Sequence, residues 1–165
     1  MVVKKPSLKA ILVVFYIVFF AVYFYIGFQP VAEARSYSKD NYLEIPSIGL
    51  NTATTNLTIN SGKLETPTNT VGSYSNSSNK TLLFGHAAGV FKNLNQAKVG
   101  EVVKYAGENY QIKSIETIPK ENINMSRLLN NTKRKVLKIM TCAGDFYGEG
   151  DATHRLIITA VKEEA

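Results

Sequence analysis

Cysteine is nearly absent from this 165-residue chain, which holds one, Cys142. That excludes an intrachain disulfide framework and any zinc site built on a cysteine pair. It leaves a thiol that is either a small buried hydrophobe or reactive on its own. Histidine is almost as scarce, with only His86 and His154. Lys and Arg outnumber Asp and Glu by 19 to 13, yet no basic stripe with interleaved aromatics occurs, so no nucleic-acid partner is expected. Acidic residues are sparse in the loops, Glu65, Glu101 and Glu116 coming nearest to a set of oxygen ligands. Neither a metal nor any other cofactor is expected. No internal repeat is visible, and long helices are lacking outside one apolar run.

Negative charge is missing altogether before Glu33, whereas Lys4, Lys5 and Lys9 come early. Between them and that first acid, residues 10–28 hold 18 apolar residues out of 19 and eight of the chain's 17 aromatics. As a helix this uncharged run spans ~28 Å, close to the hydrocarbon thickness of a bilayer. The flanking lysines keep the N-terminus in the cytoplasm and send the rest across. Ala32-Glu33-Ala34 offers the alternative of a cleaved signal peptide, but the apolar core exceeds the 7 to 15 residues usual there. The expected organisation is a cytoplasmic N-terminus at 1–9, a transmembrane signal-anchor helix at 10–28, a polar linker at 29–41 and an extracytoplasmic domain at 42–165. The chain is then a single-pass cell-membrane protein with its working domain outside. Setting the three lysines aside leaves 16 basic against 13 acidic residues, so most of the excess charge reports topology.

What the exported part does have is short β-type runs bounded by Gly, Asn, Ser and Pro. They are YLEIPSIGL (42–50), TLLFGH (81–86), EVVKYAG (101–107), ENYQIKSIETI (108–118), KVLKIMTC (135–142) and RLIITAV (155–161). This spacing predicts a mostly β barrel or sandwich. Ala106-Gly107-Glu108-Asn109 reads as a hairpin turn in which Gly and Asn take positive φ. Short helical pieces are expected at 88–96 and 123–131. The Thr-, Asn- and Ser-rich stretch Thr52 to Lys80 reads as weak strands and loops.

Cys142 ends an apolar strand and precedes a Gly-rich loop, AGDFYGEGDATH (143–154), after which Arg155 opens the next strand. If the two strands pair antiparallel, Cys142 and Arg155 fall on neighbouring rungs. A guanidinium there would lower the thiol pKa and could stabilise an oxyanion, unless it only pairs with Asp145, Glu149 or Asp151. Thiol acyl transfer also needs a proton donor for the leaving amine. His86, heading a loop of small residues, is the better placed. His154, next to Arg155, should point to the opposite strand face and reads as a loop or surface histidine.

In this order these residues resemble the sortases, membrane-anchored cysteine transpeptidases of bacterial surfaces. Leu43-Glu44-Ile45-Pro46-Ser47-Ile48-Gly49-Leu50 is similar to the family's Ile-Pro opening strand, and Thr81-Leu82-Leu83-Phe84-Gly85-His86 to its Gly-His strand. Val90-Phe91-Lys92-Asn93-Leu94 is similar to its Phe-x-x-Leu turn. The family's Thr-Leu-x-Thr-Cys stands here as Lys138-Ile139-Met140-Thr141-Cys142, so the leading Thr is replaced by Lys138. By alternation Lys138 shares a face with Cys142, where it either lines a groove and alters substrate preference or is solvated at the far end.

The resemblance implies an eight-stranded β-barrel with short helices and a catalytic set of His86, Cys142 and Arg155. Thr141, Ala87 and Lys138 would contact substrate. It further implies surface proteins with a C-terminal Leu-Pro-x-Thr-Gly-like sorting signal as partners. The amine acceptor would be a cell-wall precursor or a pilin-like lysine. Residues 29–41 show no acidic-aromatic lid, which favours a housekeeping-like or minor-class member. The competing readings are another exported Cys/His peptidase and a tethered barrel that only binds an envelope partner. Papain-like wall hydrolases place Cys before His, the reverse of this chain, and L,D-transpeptidases look for a Ser-His-Gly-Cys-like run that Ile139-Met140-Thr141-Cys142 lacks.

Overall fold

A computed structural model describes residues 42–59, 65–77, 79–130, 132–147 and 151–163, without the side chains of 76 and 77. The segments at 1–9, 10–28 and 29–41 lie outside the described residues. Among the described residues no helix is long and apolar enough to cross a membrane.

Eight strands form one closed barrel. In chain order they are β1 (Tyr42–Ile45), β2 (Leu50–Asn56), β3 (Val71–Ser77), β4 (Lys80–Phe84), β5 (Val102–Tyr105), β6 (Glu108–Pro119), β7 (Val136–Tyr147) and β8 (Asp151–Lys162). Around the barrel the order is β1-β2-β3-β4-β7-β8-β6-β5, and β5 closes on β1. Two neighbours, β2·β3 and β4·β7, are parallel; the others are antiparallel. Closure pairs each described strand on both sides. Among the described residues three single 3₁₀ turns and one short helix, α1 (Met125–Leu129), accompany the strands.

Period-2 patterning explains the interior. Along β7, Leu137, Ile139 and Thr141 are buried inward while Lys138, Met140 and Cys142 alternate outward and stay half-buried. Leu43, Ile45, Val103, Ile112, Leu137, Ile139 and Ile158 are completely buried in the central core. Each such aliphatic side chain contributes about 2 kcal/mol of burial free energy. A second apolar patch lies on the outer side of the same strands. Leu82, Phe84 and Ile157 are buried there outside the central core, with Leu128 of α1 buried beside them. Strands covered on both faces read as continuous apolar runs, as TLLF and LIIT do.

Two differences from the sequence-based expectation matter. The β5–β6 turn is two residues, with Ala106 at φ 52° and Gly107 at φ 75°, and Tyr105 faces Glu108. Glu108 and Asn109 therefore belong to the strand, because a turn with positive φ at both central residues matches the strand twist. Residues 143–147 and 151–154 are not an open loop. β7 continues to Tyr147 and β8 starts at Asp151, so the Gly- and acid-rich stretch extends the hairpin past a bulge at Ala143/Phe146. Of the helical pieces, 123–131 contains α1, whereas 88–96 contains turns and the single 3₁₀ turn Leu94–Gln96.

Candidate active site

The β7–β8 ladder sets Cys142 directly opposite Arg155. Cβ atoms of facing residues in an antiparallel pair are about 5 Å apart, so sulfur and guanidinium project from one patch of the outer face. Arg155 is well covered, its side chain 16% exposed. Its guanidinium donates to the carbonyls of Ala152 and His154, both at 2.9 Å, and to Asp151 Oδ1 at 2.6 Å. Asp151 is thus a partner of Arg155, while Glu149 lies outside the described residues. Asp151 also receives the Lys120 ammonium from the turn after β6. Lys120 first, Arg155 second and the Ala152 N–H third hold its carboxyl far below the usual carboxylate range. The arginine is thus fixed by its own strand, with a carboxylate behind it and the thiol in front.

The parallel pairing of β4 with β7 brings the histidine segment to the same end. Phe84 faces Met140, and both chains run on two more residues, to His86 and Cys142. His86 is exposed, and its carbonyl accepts from the N–H groups of Gly89 and Phe91 at 3.1 and 3.2 Å. Buried Phe91 and Leu94 pin this loop to the core. Gly85 permits it, since a Cβ there would stand 2.7 Å from a Val90 methyl and 3.1 Å from the Phe91 ring. Thr141 ties the two segments together: its inward hydroxyl donates to the Gly85 carbonyl at 2.8 Å. Its oxygen is thereby engaged, and the residue positions the histidine segment against the cysteine strand.

Two cavities flank the thiol. One, of about 250 Å³, is an apolar groove with Leu82, Phe84, Met125 and Met140 in its walls and Cys142 and Arg155 at its end. The other, of about 490 Å³, lies toward the histidine loop and is bounded by Ala87, Ala88, Phe91, Phe146 and Leu156, again with Cys142. Ala87 therefore lines the second cavity and Thr141 both. Lys138 is not brought to the thiol. It lies four residues back on the same face, half-buried, donates to Thr159 Oγ1 at 2.6 Å and lines a separate cavity. Because the hairpin continues, His154 stands inside β8 rather than in a loop, half-buried, with Nδ1 2.8 Å from Thr153 Oγ1.

Met125 and Phe146 were not among the expected site residues. Met125 reaches the groove only because α1 folds over β4, and Phe146 only because β7 runs on past the bulge. Among the described residues no group of three or more His, Cys, Asp or Glu side chains is arranged to hold a metal ion.

A barrel carrying a cysteine opposite an arginine, with a Gly-His strand alongside, defines the class. A family model described as the sortase domain matches residues 43–163. The chain belongs to the sortase family, whose members are in general cysteine transpeptidases. Among similar solved structures, sortase C-1 from Actinomyces oris is 25% identical, covering 76% of this chain and 73% of that one, at a TM-score of 0.55. A Clostridium perfringens Sortase D5 transpeptidase is 22% identical, covering 74% and 78%, at 0.58. Sortase A from Listeria monocytogenes is 16% identical, covering 77% and 88%, at 0.56. These relatives come from three sortase classes and leave the subclass of this chain unresolved. No curated protein matches the chain.

Proposed function

We propose that the protein cleaves a Leu-Pro-x-Thr-Gly-like sorting signal and joins the acyl part to an amine, with Cys142 as nucleophile, Arg155 as oxyanion donor and His86 as proton carrier. The observation that carries this reading is the register of Cys142 against Arg155 at the meeting of an apolar groove and a second cavity.

The thiolate of Cys142 attacks the carbonyl carbon after the threonine, and charge develops on the carbonyl oxygen. Arg155, held by Asp151 and two carbonyls, meets that charge with the N–H groups those bonds leave over. Collapse expels the glycine amine, which takes a proton from His86, and leaves a thioester on Cys142. An acceptor amine entering from the Ala87 side gives its proton back to His86 and attacks the thioester. An amide forms and the thiolate is released. Water in the same position would yield hydrolysis.

The apolar groove suits the Leu-Pro part of the signal, since Met125 and Met140 are unbranched and adaptable. The partners are surface proteins bearing the signal and a cell-wall precursor or lysine as acceptor. The apolar run at 10–28 holds the enzyme at the membrane, with 42–165 outside and 1–9 in the cytoplasm. Full-length protein in detergent, incubated with a sorting-signal peptide and triglycine, should form the joined product, and Cys142→Ala should not. A native Cys142 that resists alkylation, with no product formed, would support a tethered barrel that only binds.

A further inference from the structure

A third cavity, of about 190 Å³, opens at the other end of the outer face of β7. Lys80 from β4, Lys138 from β7 and Arg127 from α1 line it, with Glu116 of β6 the one carboxylate among the described residues of its wall. Lys80 is 5% exposed, yet no hydrogen bond or ion pair from the described residues reaches its ammonium. Among the described residues the Lys138 ammonium hydrogen-bonds only the neutral Thr159 hydroxyl. Glu116 accepts from Ser114 at 3.1 Å and forms no ion pair with any of the three cations. Partly desolvated cations whose nearest counter-charge, Glu116, attracts Lys138 without forming an ion pair are unfavourably placed. Burial pushes Lys80 below the usual lysine range, and burial followed by repulsion from Lys80 pushes Lys138 down as well. An anion arriving here would meet donors from three elements and no competing carboxylate in contact with them.

The cavity continues the groove. Met140 of the groove and Lys138 of the cavity are neighbours on one strand face. Ile157, in the cavity wall, pairs with Met140. The single helix α1 covers both, Met125 over the groove and Arg127 over the cavity. Cys142 and Lys138 are about 13 Å apart at the ordinary strand rise, the length of four extended residues. His86 lies at the Cys142 end, so the leaving amine departs there and the acyl part of a bound peptide runs back toward Lys138.

We propose that this cavity is an anion subsite that takes an acidic side chain of the sorting peptide, about four to five residues on the acyl side of the cleaved bond. The inference rests on the transpeptidase reading and adds a charge requirement just before the apolar motif.

The test compares kcat/KM of the full-length protein for two peptides that differ only in Glu or Gln at the residue preceding the motif. Lys138→Met, Lys80→Met and the exposed Arg127→Ala serve as variants. Wild type should prefer the Glu peptide by about tenfold, the scale of one charge-assisted hydrogen bond. Each variant should bring the ratio toward one. A ratio taken within one sample is independent of the fraction folded, so a destabilised Lys80→Met does not obscure it. Equal rates for the two peptides in wild type, or a preference that survives all three variants, overturns the subsite alone. Equal inhibition of both peptides by inorganic phosphate, with no Glu preference, overturns it in favour of a free anion. If neither peptide is processed, the transpeptidase reading falls and the subsite with it.

Discussion

The β7–β8 ladder carries an ionic cluster at each end, and the two are alike in composition but not in construction. At the Lys162 end, Glu108 receives the ammonium groups of Lys135 and Lys162 at 2.8 and 2.7 Å and the Tyr110 hydroxyl at 3.0 Å. At the Asp151 end, a carboxylate receives Lys120 and Arg155. The first cluster joins β6 to β8 and to the residue before β7 through flexible ammonium groups. It points at nothing reactive. In the second, the cation is a planar guanidinium held by two carbonyls besides its carboxylate, and Cys142 stands opposite. A fork of fixed donors aims charge at a chosen place, which a lysine does not do. The cation's geometry and the residue facing it, rather than the ion pair itself, separate a closure of the barrel from a part of the site.

Truncating one cation at each end separates the two clusters most strongly. Arg155→Ala should lower transpeptidation by about 10²- to 10³-fold, the usual loss for one oxyanion donor, and Arg155→Lys should not restore it. Lys162→Ala should leave kcat unchanged. Peptide-ligation assays on both variants decide the matter, and equal losses would erase the distinction. His86→Ala should cost about 10²-fold or more while His154→Ala stays near wild type, as read from pH–rate profiles of each. Reversal of that order would move the proton carrier to β8. Asp151→Asn should give a loss smaller than that of Arg155→Ala, because two carbonyls still hold the guanidinium. A loss as large would make the carboxylate the dominant holder.

The smallest effect belongs to the structural end. Glu108→Gln should lower stability by about 1 kcal/mol, since its lysine partners are partly exposed, with turnover intact in the folded protein. Lys135 and then Lys162 hold the Glu108 carboxyl near 2, against an ordinary 4.5. A carboxylate depressed on folding stabilises above its unfolded value, and that contribution disappears as pH falls from about 4.5 toward 2. Acid unfolding of wild type should be steeper across this window than that of Glu108→Gln. Parallel curves would show that the cluster does not stabilise the barrel.

The strands around the site were readable because β4, β7 and β8 are covered on both faces and spell continuous apolar runs. β2 and β3 were not, because LNTATTN and VGSYS hold few apolar residues and bury little side-chain surface beyond Thr54, Val71 and Ser73. The rung shared by Cys142 and Arg155 followed from alternation once the strands were paired. The hairpin extension that takes in His154 stayed hidden, since Gly144 and the acids around it look like a loop. Alternation also put Lys138 on the face of Cys142. That Lys80 and Arg127 meet it there depends on β4 lying parallel to β7 with α1 folded over them, a relation between distant segments that no local pattern encodes.

Transpeptidation through Cys142 requires an acyl bond between its thiol and the substrate. Intact-mass measurement of the full-length protein, incubated with sorting-signal peptide and no amine, tests it most directly. The expected result is a species heavier by the acyl fragment, mapped to Cys142, discharged by hydroxylamine and absent from Cys142→Ala. Peptide cleaved by the Cys142→Ala protein, or turnover by wild type with no adduct on the thiol, would contradict it.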